Sequence, residues 1–228
     1  MDELYRLSTT GSKNITKNIF LRHGQTDYNL KKLCDSYGKP VLTDKGQEQA
    51  QALEQKLTKH LTDTTVFVVS PLWRSWQTIK PTLTHRFGAA EVAELETKYL
   101  AQSVHYRQLW DDGKILDYIH GDETCVFALS ASVFIDYRLT DHLSFDLQSE
   151  RGCGEILNWV EFDKPVSKTG ECVTQMIQRT EAAMLYWNTT FPTSTIIYAS
   201  HNDTMALSRN AIRRRDYHTR RKNLLLEN

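Results

Sequence analysis

Arg22, His23 and Gly24 stand together directly after Ile19-Phe20-Leu21, and these three residue types could do phosphate chemistry. Arginine is a permanent cation whose planar fork matches phosphate oxygens. The positive charge beside His23 holds the imidazole towards its neutral form, and a neutral imidazole is a nucleophile. Gly24 has no Cβ, so the backbone can turn sharply and a ligand can approach the main chain. A short apolar run that breaks at glycine is also how an α/β sheet presents chemistry at the carboxyl end of a strand. Three residues alone recur by chance, and a histidine after a strand serves equally well as a plain turn residue. The other elements of the chain must therefore decide.

Ile15 to Leu21 reads as the first strand, and 31–41 as a polar loop with Gly38 and Pro40. A helix is expected from Leu42-Thr43-Asp44-Lys45-Gly46, with Thr43 or Asp44 as N-cap. Ala50, Leu53, Leu57 and Leu61 then fall on one face at helical spacing. Val66-Phe67-Val68-Val69 has the fully apolar character of a strand buried on both faces of a parallel sheet. It runs into Ser70-Pro71-Leu72, which brings a second arginine, Arg74, to the start of the next helix. A third apolar strand, Thr195 to Ala199, delivers Ser200-His201.

Arg22-His23-Gly24, Leu42-Thr43 before Gly46, and Ser70-Pro71-Leu72 before Arg74 occur in an order and spacing that resemble the histidine phosphatase superfamily, the phosphoglycerate-mutase-like fold of branch 1 type. Ser149-Glu150-Arg151-Gly152 resembles that family's acid-bearing loop, and Ser200-His201 its second histidine. Gly170-Glu171-Cys172, with Arg179 further on, resembles its Gly-Glu-Ser helix start, cysteine standing where serine is usual. The resemblance spans about residues 15–210. It implies a three-layer α/β/α sandwich with a mainly parallel central sheet, and phosphomonoester hydrolysis through a phosphohistidine on His23. Arg22, Arg74 and His201 would surround the phosphoryl oxygens, assisted by Gly24, Gln25, Thr26 and Asn29, with Arg151 and Asn202 nearby. Glu150 would protonate the leaving alcohol, with Glu155 in reserve and Asp141 or Asp146 behind it. No metal and no cofactor is called for. The substrate would be a phosphorylated small molecule or a phosphoprotein.

Two departures from the family pattern stand out. Asn202 follows the second histidine, where glycine is usual. The stretch of about 80–145 reads as an enlarged insertion or cap over the site. The rest is expected to be one domain over 1–228, with 1–14 a flexible tail. The loop from Asn29 to Gly38 lacks the Gly-Trp element of mutases, which favours a phosphatase over the alternative of a phosphoglycerate mutase. A non-catalytic phosphate-recognition or scaffolding module is the other rival, disfavoured because all four core residues are present.

Composition bounds the remaining possibilities. Lys+Arg and Asp+Glu are both 28, so overall charge points to no nucleic-acid partner. Seven of the 28 basic residues lie between Arg209 and Lys222; this is read chiefly as a solvated helix face, with a weak anionic partner as the other use. No apolar run reaches the roughly 20 residues of a membrane span, and the opening Met1-Asp2-Glu3 carries no signal-peptide core. The four cysteines (Cys34, Cys125, Cys153 and Cys172) form no CxxC pair and read as free, inert thiols of a cytoplasmic protein.

Overall fold

The structure is a computed structural model that describes residues 5–8, 16–31, 40–120, 125–141, 171, 173–201 and 204. Its elements are β1 (Tyr5–Ser8), β2 (Lys17–Arg22), α1 (Asp27–Lys31), α2 (Asp44–Thr58), β3 (Val66–Val69), α3 (Trp73–Phe87), α4 (Ala89–Asp111), α5 (Ile115–His120), β4 (Val126–Ala128), β5 (Val133–Asp136), a 3₁₀ turn (Tyr137–Leu139), α6 (Val173–Thr190) and β6 (Thr195–Ser200). The six strands form one sheet in the order β1-β2-β6-β3-β5-β4. The four inner strands are parallel, and the two edges pair antiparallel.

Strand residues alternate between two cores, as a pleat of period two requires. Ile19, Leu21, Phe67, Val69, Val133, Ile135 and Ile197 face the layer of α2, α3 and α4. Phe20, Val66, Val68, Ile196 and Tyr198 face α6 through Ala183, Met184 and Trp187. With both faces covered, the inner strands are apolar through their centres, which is why they read so clearly in sequence. Among the described residues no helix is long and apolar enough to cross a membrane.

Two helices matter for the site. Thr43 caps α2 by accepting from the Gly46 N–H at 3.1 Å. The cap of α3, Leu72, makes no side-chain bond. A lost cap costs about 1 kcal/mol, whereas Trp76, Ile79 and Leu83 on α3 are fully buried and contribute roughly 1.5–3 kcal/mol each. Packing, not capping, fixes where α3 starts.

Two differences from the sequence reading follow. Tyr5–Ser8, expected in a loose tail, pairs as an edge strand, with Tyr5 opposite Phe20. Its alternation of apolar and polar residues suits an edge position. The stretch of about 80–145 is not all appended either: β5 lies inside the sheet, beside β3, with Val69 opposite Ile135.

Candidate active site

Parallel register puts the two histidines side by side. Arg22 lies opposite Ser200 at the last pair of β2 and β6, so the next residue of each strand emerges at the same carboxyl edge. The His23 N–H donates to the Ser200 carbonyl at 3.0 Å, carrying the ladder one step further. The two rings lie 5.3 Å apart, centroid to centroid. β3, on the far side of β6, ends level with them: the Ser70 N–H donates to Ala199 at 2.9 Å.

Hydrogen bonding assigns a tautomer to each ring. His23 Nδ1 sits 2.8 Å from the Gly24 carbonyl. A carbonyl only accepts, so Nδ1 carries the hydrogen and Nε2 holds the free lone pair. For His201 the partner is Ser70, whose Oγ lies 2.8 Å from Nε2 and also accepts from the Leu72 N–H. The Asp141 carboxylate, 3.6 Å from Nδ1, favours the hydrogen on that nitrogen, and Ser70 then donates to Nε2. That Nδ1 is buried and makes no hydrogen bond among the described residues. An orphaned donor in a fully buried ring invites a ligand acceptor.

Both imidazoles are held neutral. Burial first, then the charges of Arg74 and His201, lowers His23 well below its ordinary value, outweighing the Gly24 carbonyl and Asp141. Burial also lowers His201, reinforced by Arg74, Arg179 and Arg22. The sign is that of a depressed base. The fold gains from the neutral rings above about pH 6.5 and loses that contribution as pH falls through their lowered values. Nitrogen-15 NMR titration is therefore expected to show both rings neutral well below that pH. A midpoint near the ordinary value for His23 would contradict the site as drawn.

Arg74, in the first turn of α3, is buried and donates from NH2 to Asp141 Oδ2 at 2.8 Å. The same carboxylate oxygen lies 3.6 Å from His201 Nδ1, beyond hydrogen-bond reach. Arg22 is exposed at the strand end, and its charge still reaches His201.

The loop after His23 builds the site in another way than expected. The Gly24 N–H donates to Thr78 Oγ1 at 2.9 Å, Gln25 N–H to Gln49 Oε1 at 2.8 Å, and Thr26 N–H to Asn29 Oδ1 at 3.0 Å. These amides, read as phosphate donors, are engaged in holding the loop. Gly24 is needed for close approach: a Cβ there would meet the Gly46 carbonyl oxygen at 2.7 Å, and one on Gly46 would meet the Gln25 carbonyl oxygen at 2.1 Å. Gln25 also accepts from the Thr43 N–H at 3.0 Å, so the start of α2 is bolted to the turn.

Glu150, Arg151 and Asn202 lie outside the described residues, as do Glu155 and Asp146. Asp141, the weaker reserve, is brought to the site. Its signal in the sequence is fainter than that of the histidines, because it stands six residues past the apolar run Val133-Phe134-Ile135, beyond a 3₁₀ turn, whereas His23 and His201 stand two residues past Leu21 and Ala199. Assigning that run to an insertion hid it. Behind Asp141, the Glu171–Arg179 pair is fully buried, with Arg179 Nε 2.6 Å from Glu171 Oε1. Burial would push the Glu171 carboxyl up, but Arg179 and His120 override it and bring it down to about 2. Burial pushes the Cys125 thiol up to about 11, too high for a reactive thiolate. Among the described residues no group of three or more His, Cys, Asp and Glu could hold a metal ion.

Residues 18–96 match the model of the histidine phosphatase superfamily, branch 1. No curated protein matches the sequence. Solved structures match over most of the chain. A mycobacterial glucosyl-3-phosphoglycerate phosphatase is 20% identical over 84% of this chain and 79% of its own, with a TM-score of 0.55. The alpha-ribazole phosphatase of Shigella flexneri is 18% identical over 82% and 75%, at 0.54. The Entamoeba histolytica phosphoserine phosphatase, in complex with 3-phosphoglyceric acid, is 18% identical over 85% and 77%, at 0.53. At such identities the likeness is one of fold. Residues 18–96, which carry the first histidine and Arg74, are thus similar to the histidine phosphatase superfamily, branch 1, and the chain as a whole shares the fold of these solved structures.

Proposed function

We propose that the protein hydrolyses phosphomonoesters through a phosphohistidine on His23. The observation that carries this reading is the pairing of a free Nε2 lone pair on His23 with a buried, unpartnered Nδ1–H on His201 beside it. One can attack phosphorus while the other donates to a phosphoryl oxygen. Arg74 and Arg22 supply the cations that such a transfer needs on the equatorial oxygens.

In the first step His23 Nε2 forms a bond to phosphorus as the ester P–O bond breaks, and the leaving oxygen takes a proton from an acid. Water then attacks phosphorus, the N–P bond breaks, and the same group, now a carboxylate, accepts the water's proton. We assign that role to Asp141. In the resting site its carboxylate is held by Arg74. A phosphoryl group that takes over Arg74 sets a dianion against this carboxylate, and like-charge repulsion favours proton uptake. Glu150 is the rival acid, on its resemblance to the family's acid-bearing loop. The names of the three solved structures, all phosphatases, favour hydrolysis over the mutase alternative. The substrate class is a phosphorylated small molecule or a phosphoprotein.

The test compares two leaving groups in single-turnover phosphoenzyme formation. A nitrophenolate needs little protonation to leave, whereas an alkoxide must be protonated, and general acid catalysis contributes about 10²–10⁴-fold. Asp141→Asn is expected to slow an alkyl phosphate by about that factor and 4-nitrophenyl phosphate far less. The same selectivity in Glu150→Gln, and not in Asp141→Asn, would move the acid to Glu150. Wild-type protein that turns over neither substrate, with or without 2,3-bisphosphoglycerate, would leave the scaffolding reading.

A further inference from the structure

Arg179 lies outside the group of residues that could touch phosphate, yet all five of its N–H donors point at the segment that carries Asp141 or at the carboxylate that braces it. Nε donates to Glu171 Oε1 at 2.6 Å, and NH2 to Glu171 Oε2 at 2.9 Å and to the Asp141 carbonyl at 3.0 Å. NH1 donates to the carbonyls of Arg138 and of Thr140, the latter at 3.1 Å. Both charges are buried, and a buried pair is weak as a source of stability because desolvation offsets its attraction. Its geometric effect is specific. A guanidinium can fork onto a carboxylate and hold three carbonyls at once, which an ammonium with three donors cannot do. The segment is tied from β6 as well, where Ser200 Oγ donates to the Leu139 carbonyl at 2.7 Å. On the other side of Glu171, His120 at the end of α5 donates to Oε1 at 3.1 Å.

We propose that Arg179, braced by Glu171, is a positioning residue of the reaction: it holds the turn after β5 so that the Asp141 carboxylate stands between Arg74 and His201. The inference rests on the hydrolase reading of the site, in which Asp141 is the acid. Arg179 acts on substrate through that turn, beside the charge that it exerts on His201.

The experiment is a double-mutant cycle on the full chain, with Arg179→Lys made in wild-type and Asp141→Asn backgrounds. Arg179→Lys alone is expected to lower kcat for an alkyl phosphate by about 10²-fold, the scale of a 1 Å misplacement, with a smaller loss for 4-nitrophenyl phosphate. In the Asp141→Asn background it should cost little more. Binding of inorganic phosphate, followed by calorimetry, supplies a readout independent of turnover, and the effect of Arg179→Lys on its Kd should likewise shrink once Asp141 is replaced. Losses that add in full in both readouts would mean that Arg179 acts elsewhere, and would overturn the proposal. Coupling in the phosphate Kd, with no leaving-group selectivity in Asp141→Asn, would uphold the positioning role and remove the acid role. A protein that binds no phosphate removes both. Should Arg179→Lys fail to fold, Glu171→Gln takes its place in the cycle, since it loosens the brace and leaves the guanidinium in position.

Discussion

His23→Ala is expected to remove phosphatase turnover altogether, a loss of about four orders of magnitude or more, the scale seen when a covalent nucleophile is deleted. The fold should survive. The bond that joins this residue to β6 runs from its backbone N–H to Ser200, and alanine keeps it. The side chain is half-buried at a strand end, and among the described residues its hydrogen bond is to the adjacent carbonyl of Gly24. Circular dichroism and thermal melting should therefore match wild type. Rapid quench of the wild-type protein should trap an acid-labile, base-stable phosphate on His23, which the variant lacks. A well-folded His23→Ala protein with wild-type turnover would end the phosphohistidine mechanism.

Arg74→Ala should lower kcat/KM by about two to four orders of magnitude, and Arg74→Lys should recover only part of it. A guanidinium contacts two phosphoryl oxygens at fixed geometry, whereas an ammonium offers a single point charge. The environment sharpens the contrast. Arg74 is buried at the first turn of α3, and its NH2 reaches Asp141. Removing it takes a cation from beside that partly buried carboxylate, so the alanine variant should also melt lower. Kinetics are to be measured below its transition. Equal rates for lysine and arginine would mean that generic charge suffices, and would move Arg74 away from the phosphoryl oxygens.

What could be read from sequence followed burial. β2, β3 and β6 are covered on both faces, so their central residues (Ile19 to Leu21, Val66 to Val69 and Ile196 to Ala199) are apolar, and the chemistry appears just past each run: His23, Ser70 with Arg74, and His201. Asp141 stands further from its strand, past the 3₁₀ turn that follows β5, and the Val126 to Ile135 run reads as insertion because two strands and a serine-rich turn share it. The partners of the loop amides are hidden for a different reason. Whether a backbone N–H is available depends on partners such as Thr78 and Gln49, tens of residues away, and no local pattern reports that. Arg179 was visible only as a motif residue. Three of its five bonds reach backbone carbonyls, which every residue possesses, so sequence carries no mark of them.

The neighbouring position of β2 and β6 has a consequence for how the molecule becomes active. Thr16 at the start of β2 donates to the Pro192 carbonyl across 176 residues of chain, and the two histidines approach each other over a similar separation. Pairings this remote are slow, because a long loop must be closed before any contact rewards it. A nascent chain thus has its nucleophile from the outset but cannot assemble the pocket until β6 has been synthesised and has entered between β2 and β3. Recovery of activity during refolding should accordingly trail the return of helical signal, and should coincide with protection of the β6 amides from hydrogen exchange.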